Sequence, residues 1–172
     1  MRRVGADNDY GGILASYLVV IYGTSPAGNQ TAWQLARSLP GKSAVLSVDR
    51  LLDGAIAQRA EDSPSELDMV HTQIRLLTAN YMRNGYNVVV EGAFYHQRDG
   101  QTYRYEQDID QLVALMRNMT QKALTVHLRG PENGAGFEYR QRYGVNAMSL
   151  DAEDPDEAAE AIREKLMAES FS

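Results

Sequence analysis

Two glycines with four residues between them, Gly23 and Gly28, sit inside the segment GTSPAGNQT. The apolar, β-branched run YLVVIY precedes it, and a helical pattern begins near Thr31. A strand, a glycine loop and a helix in that order can hold a phosphate, because backbone N–H groups at the helix start converge on the anion. The spacing fits the first half of the phosphate loop G-x-x-x-x-G-K-[ST]. It makes Gly23, Thr24, Ser25, Ala27, Gly28, Asn29, Gln30 and Thr31 the candidate cofactor-binding residues. The second half departs. Asn29 occupies the Lys position and Gln30 the Ser/Thr position, so the full positive charge and the Mg²⁺-holding hydroxyl are both missing. Thr31 lies about 100° further round the helix and is a poor replacement. Pro26 removes one amide donor and restricts Ser25. Losing one well-placed electrostatic contact typically slows such chemistry roughly a hundred- to a thousand-fold.

The charged groups that could act with this loop end other apolar runs: Asp49 after LSV, Glu91 after NVVV and Arg129 after ALTVHL. Asp49 falls at a strand's carboxyl end, where ligands bind in parallel α/β sheets, or else it caps the next helix. Glu91 ends a run that reads as buried, where a carboxylate needs a partner. The only lysines are Lys42, Lys122 and Lys165, two just before strands and one in the last helix. None replaces the missing cation easily, so any substitute must be an arginine. Residues 93–105 carry Tyr95, His96, Arg98, Tyr103 and Arg104, which by themselves read as a solvated polar-aromatic loop. His71 and His127 read as structural, and three scattered His with no Cys offer no metal-ligand spacing.

These residues are positioned by short buried strands alternating with helices. Strands are expected at 17–22, 43–48, 87–91, 123–128 and 144–150. The first helix carries Ala32, Leu35, Ala36 and Leu39 and stops at Pro40-Gly41. Residues 49–54 begin a short helix or turn. A long helix starts with Ser63 as cap, Pro64 and Glu66, and turns Leu67, Val70, Ile74, Leu77 and Tyr81 to one side before ending at Asn84-Gly85. Residues 93–105 read as irregular. The next helix carries Ile109, Leu112, Val113, Met116 and Met119, and the last begins at Asp154-Pro155 with Glu157 and turns Ile162 and Leu166 inward. This pattern predicts a three-layer α/β/α fold around a parallel sheet, with ligands beyond the carboxyl ends of the strands.

A chain of 172 residues is one domain by size, and 44% hydrophobic with 23% charged residues is ordinary for a globular protein. We expect residues 1–15 to be a flexible arm and 16–172 a single domain. Asp7 and Asp9 break the positive start at Arg2 and Arg3, so the beginning does not read as a signal peptide. The net charge of -6 argues against a nucleic-acid partner. No run approaches a membrane span. The absence of Cys excludes thiolate chemistry and fits a cytoplasmic location.

Together GTSPAGNQT, LSVDRLLDG and NVVVEG resemble the P-loop small-molecule kinases, including chloramphenicol-phosphotransferase-, gluconate-kinase- and shikimate-kinase-like proteins, over roughly residues 16–170. The resemblance implies a five-stranded parallel sheet of order 2-3-1-4-5 and ATP with Mg²⁺ as cofactors of an active transferase. It implies Asp49 as the acid facing the acceptor hydroxyl, Glu91 near a magnesium-bound water, and Arg140 and Arg142 as lid arginines over the phosphates. The family places acceptor-binding groups after strand three, so Arg50, His96, Arg98 and Arg104 then become candidates for binding an anionic or aromatic substrate, as readily as the 93–105 segment reads as a solvated loop. Three readings follow. The chain is an ATP-dependent phosphotransferase on a small hydroxyl-bearing molecule; or a nucleotide- or ligand-binding pseudokinase that serves as a regulatory or partner module; or a non-kinase acid–base catalyst using Asp49 and Glu91.

Overall fold

The computed structural model describes residues 16–23, 25–55, 64–98, 100–104, 106–117, 122–130, 146–151 and 153–168. The central sheet contains β1 (Tyr17–Tyr22), β2 (Lys42–Ser47), β3 (Tyr86–Gly92), β6 (Lys122–Arg129) and β7 (Asn146–Asp151). Its order is β2-β3-β1-β6-β7 and every pairing is parallel. That is the expected 2-3-1-4-5 order, counted over the strands of this sheet. The helices are α1 (Gly28–Ser38), α2 (Val48–Ala55), α3 (Pro64–Arg83), α4 (Glu106–Arg117) and α5 (Pro155–Ala168).

Alternation along β1 divides the core in two. Leu18, Val20 and Tyr22 pack with Val88 and Val90 beneath α2, α3 and α4. Tyr17, Val19 and Ile21 pack with Val89, Leu124, Val126 and Leu128 beneath α1 and α5. Val88, Val89 and Val90 are all fully buried, as a strand covered on both faces requires. On α3 the stripe holds: Val70 and Ile74 are fully buried, and Leu67, Leu77 and Tyr81 pack at the margin of the same core. Asp154 caps α5, its Oδ1 accepting from the Asp156 amide at 2.8 Å and its carbonyl from Ala158 at 3.1 Å.

Some elements differ from the sequence reading. Residues expected to be irregular form a two-stranded hairpin, β4 (Tyr95–Arg98) and β5 (Gln101–Arg104), with Arg98 paired to Gln101. The signal was present: Asp99-Gly100 is a two-residue turn sequence, and Gly100 has φ 74°. Helix α1 begins at Gly28 rather than near Thr31, and Val48 belongs to α2 rather than to the second strand. The described part of α4 ends at Arg117, short of Met119. The expected arm, Thr24, the cap Ser63, Arg140 and Arg142 lie outside the described residues. No described helix is long and apolar enough to cross a membrane.

A buried asparagine ties the amino ends of the strands together. Asn87 accepts from the Tyr17 amide at 3.0 Å and donates to the Pro40 carbonyl at 2.8 Å and to Ser43 Oγ at 3.3 Å. One side chain thus fixes where β1, β2 and β3 start. Their carboxyl ends, where the chemistry-bearing residues lie, are thereby in register.

Candidate functional site

The carboxyl ends of β1, β2, β3 and β6 surround a cleft of about 200 Å³, lined by Gly23, Ser25, Gly28, Asp49, Glu91 and Gly92 among others. Gly23 turns the chain out of β1 with φ 129°, and a Cβ there would lie 2.4 Å from the Leu128 carbonyl oxygen. The same carbonyl accepts from the Ser25 amide at 3.3 Å, so the loop is pinned to the end of β6.

Three of the loop's described amides are engaged within the protein. Besides the Ser25 bond, the Ala27 amide donates to Ser25 Oγ at 3.2 Å and the Gly28 amide to the Ser25 carbonyl at 3.3 Å. Pro26 has no N–H. In an anion nest such amides face the ligand. The amides of Asn29 and Gln30, in the first turn of α1, have no acceptor among the described residues. These two are the helix-start donors left for an anion.

Asn29 joins two elements that are distant in sequence. Its Nδ2 donates to Glu91 Oε2 at 3.1 Å, and its Oδ1 accepts from Arg50 Nη2 at 2.9 Å. Glu91 is buried, and its Oε1 and Cγ lie 3.7 and 3.6 Å from where a Cβ at Gly28 would be. A Cβ at position 28 would make only ordinary contact with that side chain. Gly92 does require the absence of a side chain, because a Cβ there would meet Val48 Cγ2 of α2 at 2.7 Å. That close approach carries Asp49 to the cleft wall, with Arg50 next to it in the chain. Ser47 Oγ accepts from the Arg50 amide at 3.4 Å, the bond of a helix cap, so the cap of α2 is Ser47. Asp49 sits in the first turn, exposed, on the cleft wall.

Not every sequence candidate reaches the cleft. Gln30 is exposed and Thr31 fully buried, its hydroxyl without a hydrogen-bond partner, and neither lines the cavity. Ala27 packs against the α1/α5 core. Arg129 forms a bidentate pair with Asp151, at 2.6 Å from Nε and 2.8 Å from Nη2. The backbone of His96, Arg98 and Arg104 forms the β4–β5 hairpin, with Arg104 opposite Tyr95 and His96 opposite Tyr103, and their side chains lie outside what the structure describes. His71 is buried, 3.3 Å from Asp108 and stacked on Phe94, and His127 stacks on Tyr22. Phe94 is the one described non-glycine with positive φ, 54°, and it marks the sharp exit from β3 into the hairpin.

The loop lacks the hydroxyl that holds Mg²⁺ in a P-loop enzyme. Gln30 supplies no hydroxyl, Glu91 Oε2 takes the Asn29 amide, and no metal-holding group of His, Asp and Glu occurs among the described residues. None of Asn29, Gln30 and Arg50 is among the described residues that line the cleft itself. Sequence reasoning named Asn29, Glu91 and Arg50 separately. It missed their mutual bonds, because each depends on side-chain direction in the folded chain.

Neither a family model nor a curated protein matches the chain. Solved structures do. A Cys556Ala variant of the Mycobacterium tuberculosis APS kinase CysC aligns at TM-score 0.60 and 18% identity, over 89% of this chain and 98% of that one. The same kinase in complex with AMPPNP and APS aligns at 0.58 and 15%, over 89% and 98%. A de novo designed P-loop-type protein aligns at 0.52 and 12%, over 91% and 96%. A designed scaffold among the matches makes plain that this likeness speaks of architecture and not of chemistry. With its strand order, it establishes that the chain has the fold of the P-loop kinases.

Proposed function

We propose that the chain is a kinase-fold binding module that takes a small phosphate-bearing ligand in the cleft and has lost efficient phosphoryl transfer. The observation that carries this reading is the loop's internal bonding: the Ser25, Ala27 and Gly28 amides already have acceptors, and the residue at the Lys position is held by Glu91. Transfer catalysis depends on positioning and electrostatics at the moving phosphoryl group, and both are weakened here. A nucleotide is the first ligand to try, since the structurally similar kinase was solved with AMPPNP.

The test is a thermal-shift titration with ATP, ADP, GTP and pyrophosphate, each in Mg²⁺ and in EDTA. A ligand at about a hundred times its dissociation constant adds roughly 2.7 kcal/mol, which raises the melting point by several degrees. We expect a shift in wild type that EDTA leaves intact, and no ADP release above background with hydroxyl acceptors of the sugar-acid or aromatic-alcohol kind. No shift with any of the four ligands overturns the reading.

A second reading, an active phosphotransferase, draws on Asp49 and Glu91 lining the same cleft. Asp49 would take the acceptor's hydroxyl proton while Arg50 meets the phosphate. Acceptor-dependent ADP release in wild type, abolished by Asp49→Asn, would favour it over the first. Turnover unchanged in that variant would remove Asp49 from the chemistry.

A further inference from the structure

We propose that Arg50 is the cation of the phosphate subsite, supplying from α2 the charge that Asn29 cannot supply from the loop. The inference deepens the phosphate-binding reading and rests on it. It begins with hydrogen-bond chemistry. A carboxylate such as Glu91 only accepts and a guanidinium only donates. Asn29 between them has one arrangement that satisfies both, its NH₂ toward Glu91 and its oxygen toward Arg50. The position that carries Lys in the motif is therefore an adaptor. It anchors on the buried acid and holds a guanidinium at hydrogen-bond distance.

Arg50 is suited to that role by what surrounds it. Arg129 and Arg163 are paired with Asp151 and Glu160. Lys42 lies over the Tyr86 ring at the amino end of its strand. Arg50, exposed beside the cleft, has no carboxylate partner among the described residues. Its backbone is held by the Ser47 cap and by the close packing of Val48 on Gly92. One guanidinium carries five donors, and the bond to Asn29 uses one. The remaining fork matches the oxygens of a phosphate in bidentate geometry. A Lys at position 29 would place like charge against Arg50, so the two solutions exclude each other locally. The departure from the motif at Asn29 and the approach of Arg50 are one change seen from two sides.

The experiment is calorimetric titration with inorganic pyrophosphate in EDTA, with ADP as a parallel arm. The variants are Arg50→Gln, Arg50→Lys, Asn29→Lys and the Arg50→Gln/Asn29→Lys double. Arg50 is exposed, so its variants should fold, and melting curves without ligand check this. We expect Arg50→Gln to weaken both ligands tenfold or more, and Arg50→Lys to weaken them less. Adding Asn29→Lys to Arg50→Gln should restore most of the loss, because the charge returns from the loop side. Arg50→Gln binding as tightly as wild type overturns the proposal while the phosphate-binding reading survives. So does an Arg50→Gln loss that Asn29→Lys leaves uncorrected, which assigns Arg50 to another part of the ligand. Wild type that binds neither probe overturns the phosphate-binding reading itself, and the proposal with it.

Discussion

Replacing Gly23 with Ala tests the geometry on which the cleft depends. Gly23 has φ 129°, a region that L-residues occupy at a cost of about 1–3 kcal/mol. Its new Cβ would lie 2.4 Å from Leu128 O, a backbone atom that cannot swing aside. That oxygen also accepts the Ser25 amide at 3.3 Å, and moving it forfeits a bond of about 1 kcal/mol. Together these give roughly 2–4 kcal/mol. For a chain of this length each kcal/mol moves the melting point by about 2–4 °C, so the expected fall is about 5–15 °C. Gly54→Ala is the matched control. Nothing lies within 4 Å of a Cβ there, and the residue is inside α2, where Ala is worth up to about 1 kcal/mol over Gly. Calorimetric melting of the two variants beside wild type reads both effects. Gly23→Ala melting within about 1 °C of wild type would refute the argument that the loop is locked against β6.

Two further predictions concern parts of the chain away from the cleft. Asn87→Ala removes three hydrogen bonds and leaves the buried Tyr17 amide without its acceptor. It should lower the unfolding free energy by roughly 2–4 kcal/mol, seen as a lower urea midpoint at unchanged slope. An unchanged midpoint would show that water replaces the side chain. Asp151→Asn breaks an exposed bidentate pair with Arg129 and should cost under about 1 kcal/mol, less still in high salt. A loss of several kcal/mol would give that edge a structural role that its exposure does not suggest.

Much of the fold was legible because it rests on local pattern. Three consecutive valines before Glu91 announce a strand covered on both faces. The stripe on α3 and the Asp154-Pro155 start of α5 are set by helical period and capping chemistry, which neighbouring residues decide. The hairpin was missed although its turn was spelled out, because Tyr95 to Arg104 lacks the apolar alternation that marks a half-buried strand. Helix α1 begins earlier than its apolar pattern does, since Gly28 and Asn29 enter the helix without an apolar side chain to announce it.

The candidate site was legible as a set of residue types at strand ends and not as an arrangement. The sequence by itself determined that a glycine loop lacks its Lys and hydroxyl, and that two carboxylates and several arginines follow apolar runs. Only the tertiary structure decided which of them meet. Asn29 and Glu91 are 62 residues apart and Asn29 and Arg50 are 21 apart. Their contact is created by parallel strand register and by the close packing of α2 on Gly92. Residue identity sets what a side chain can donate or accept. Register and packing set which partner it finds, and no local rule of sequence contains that choice.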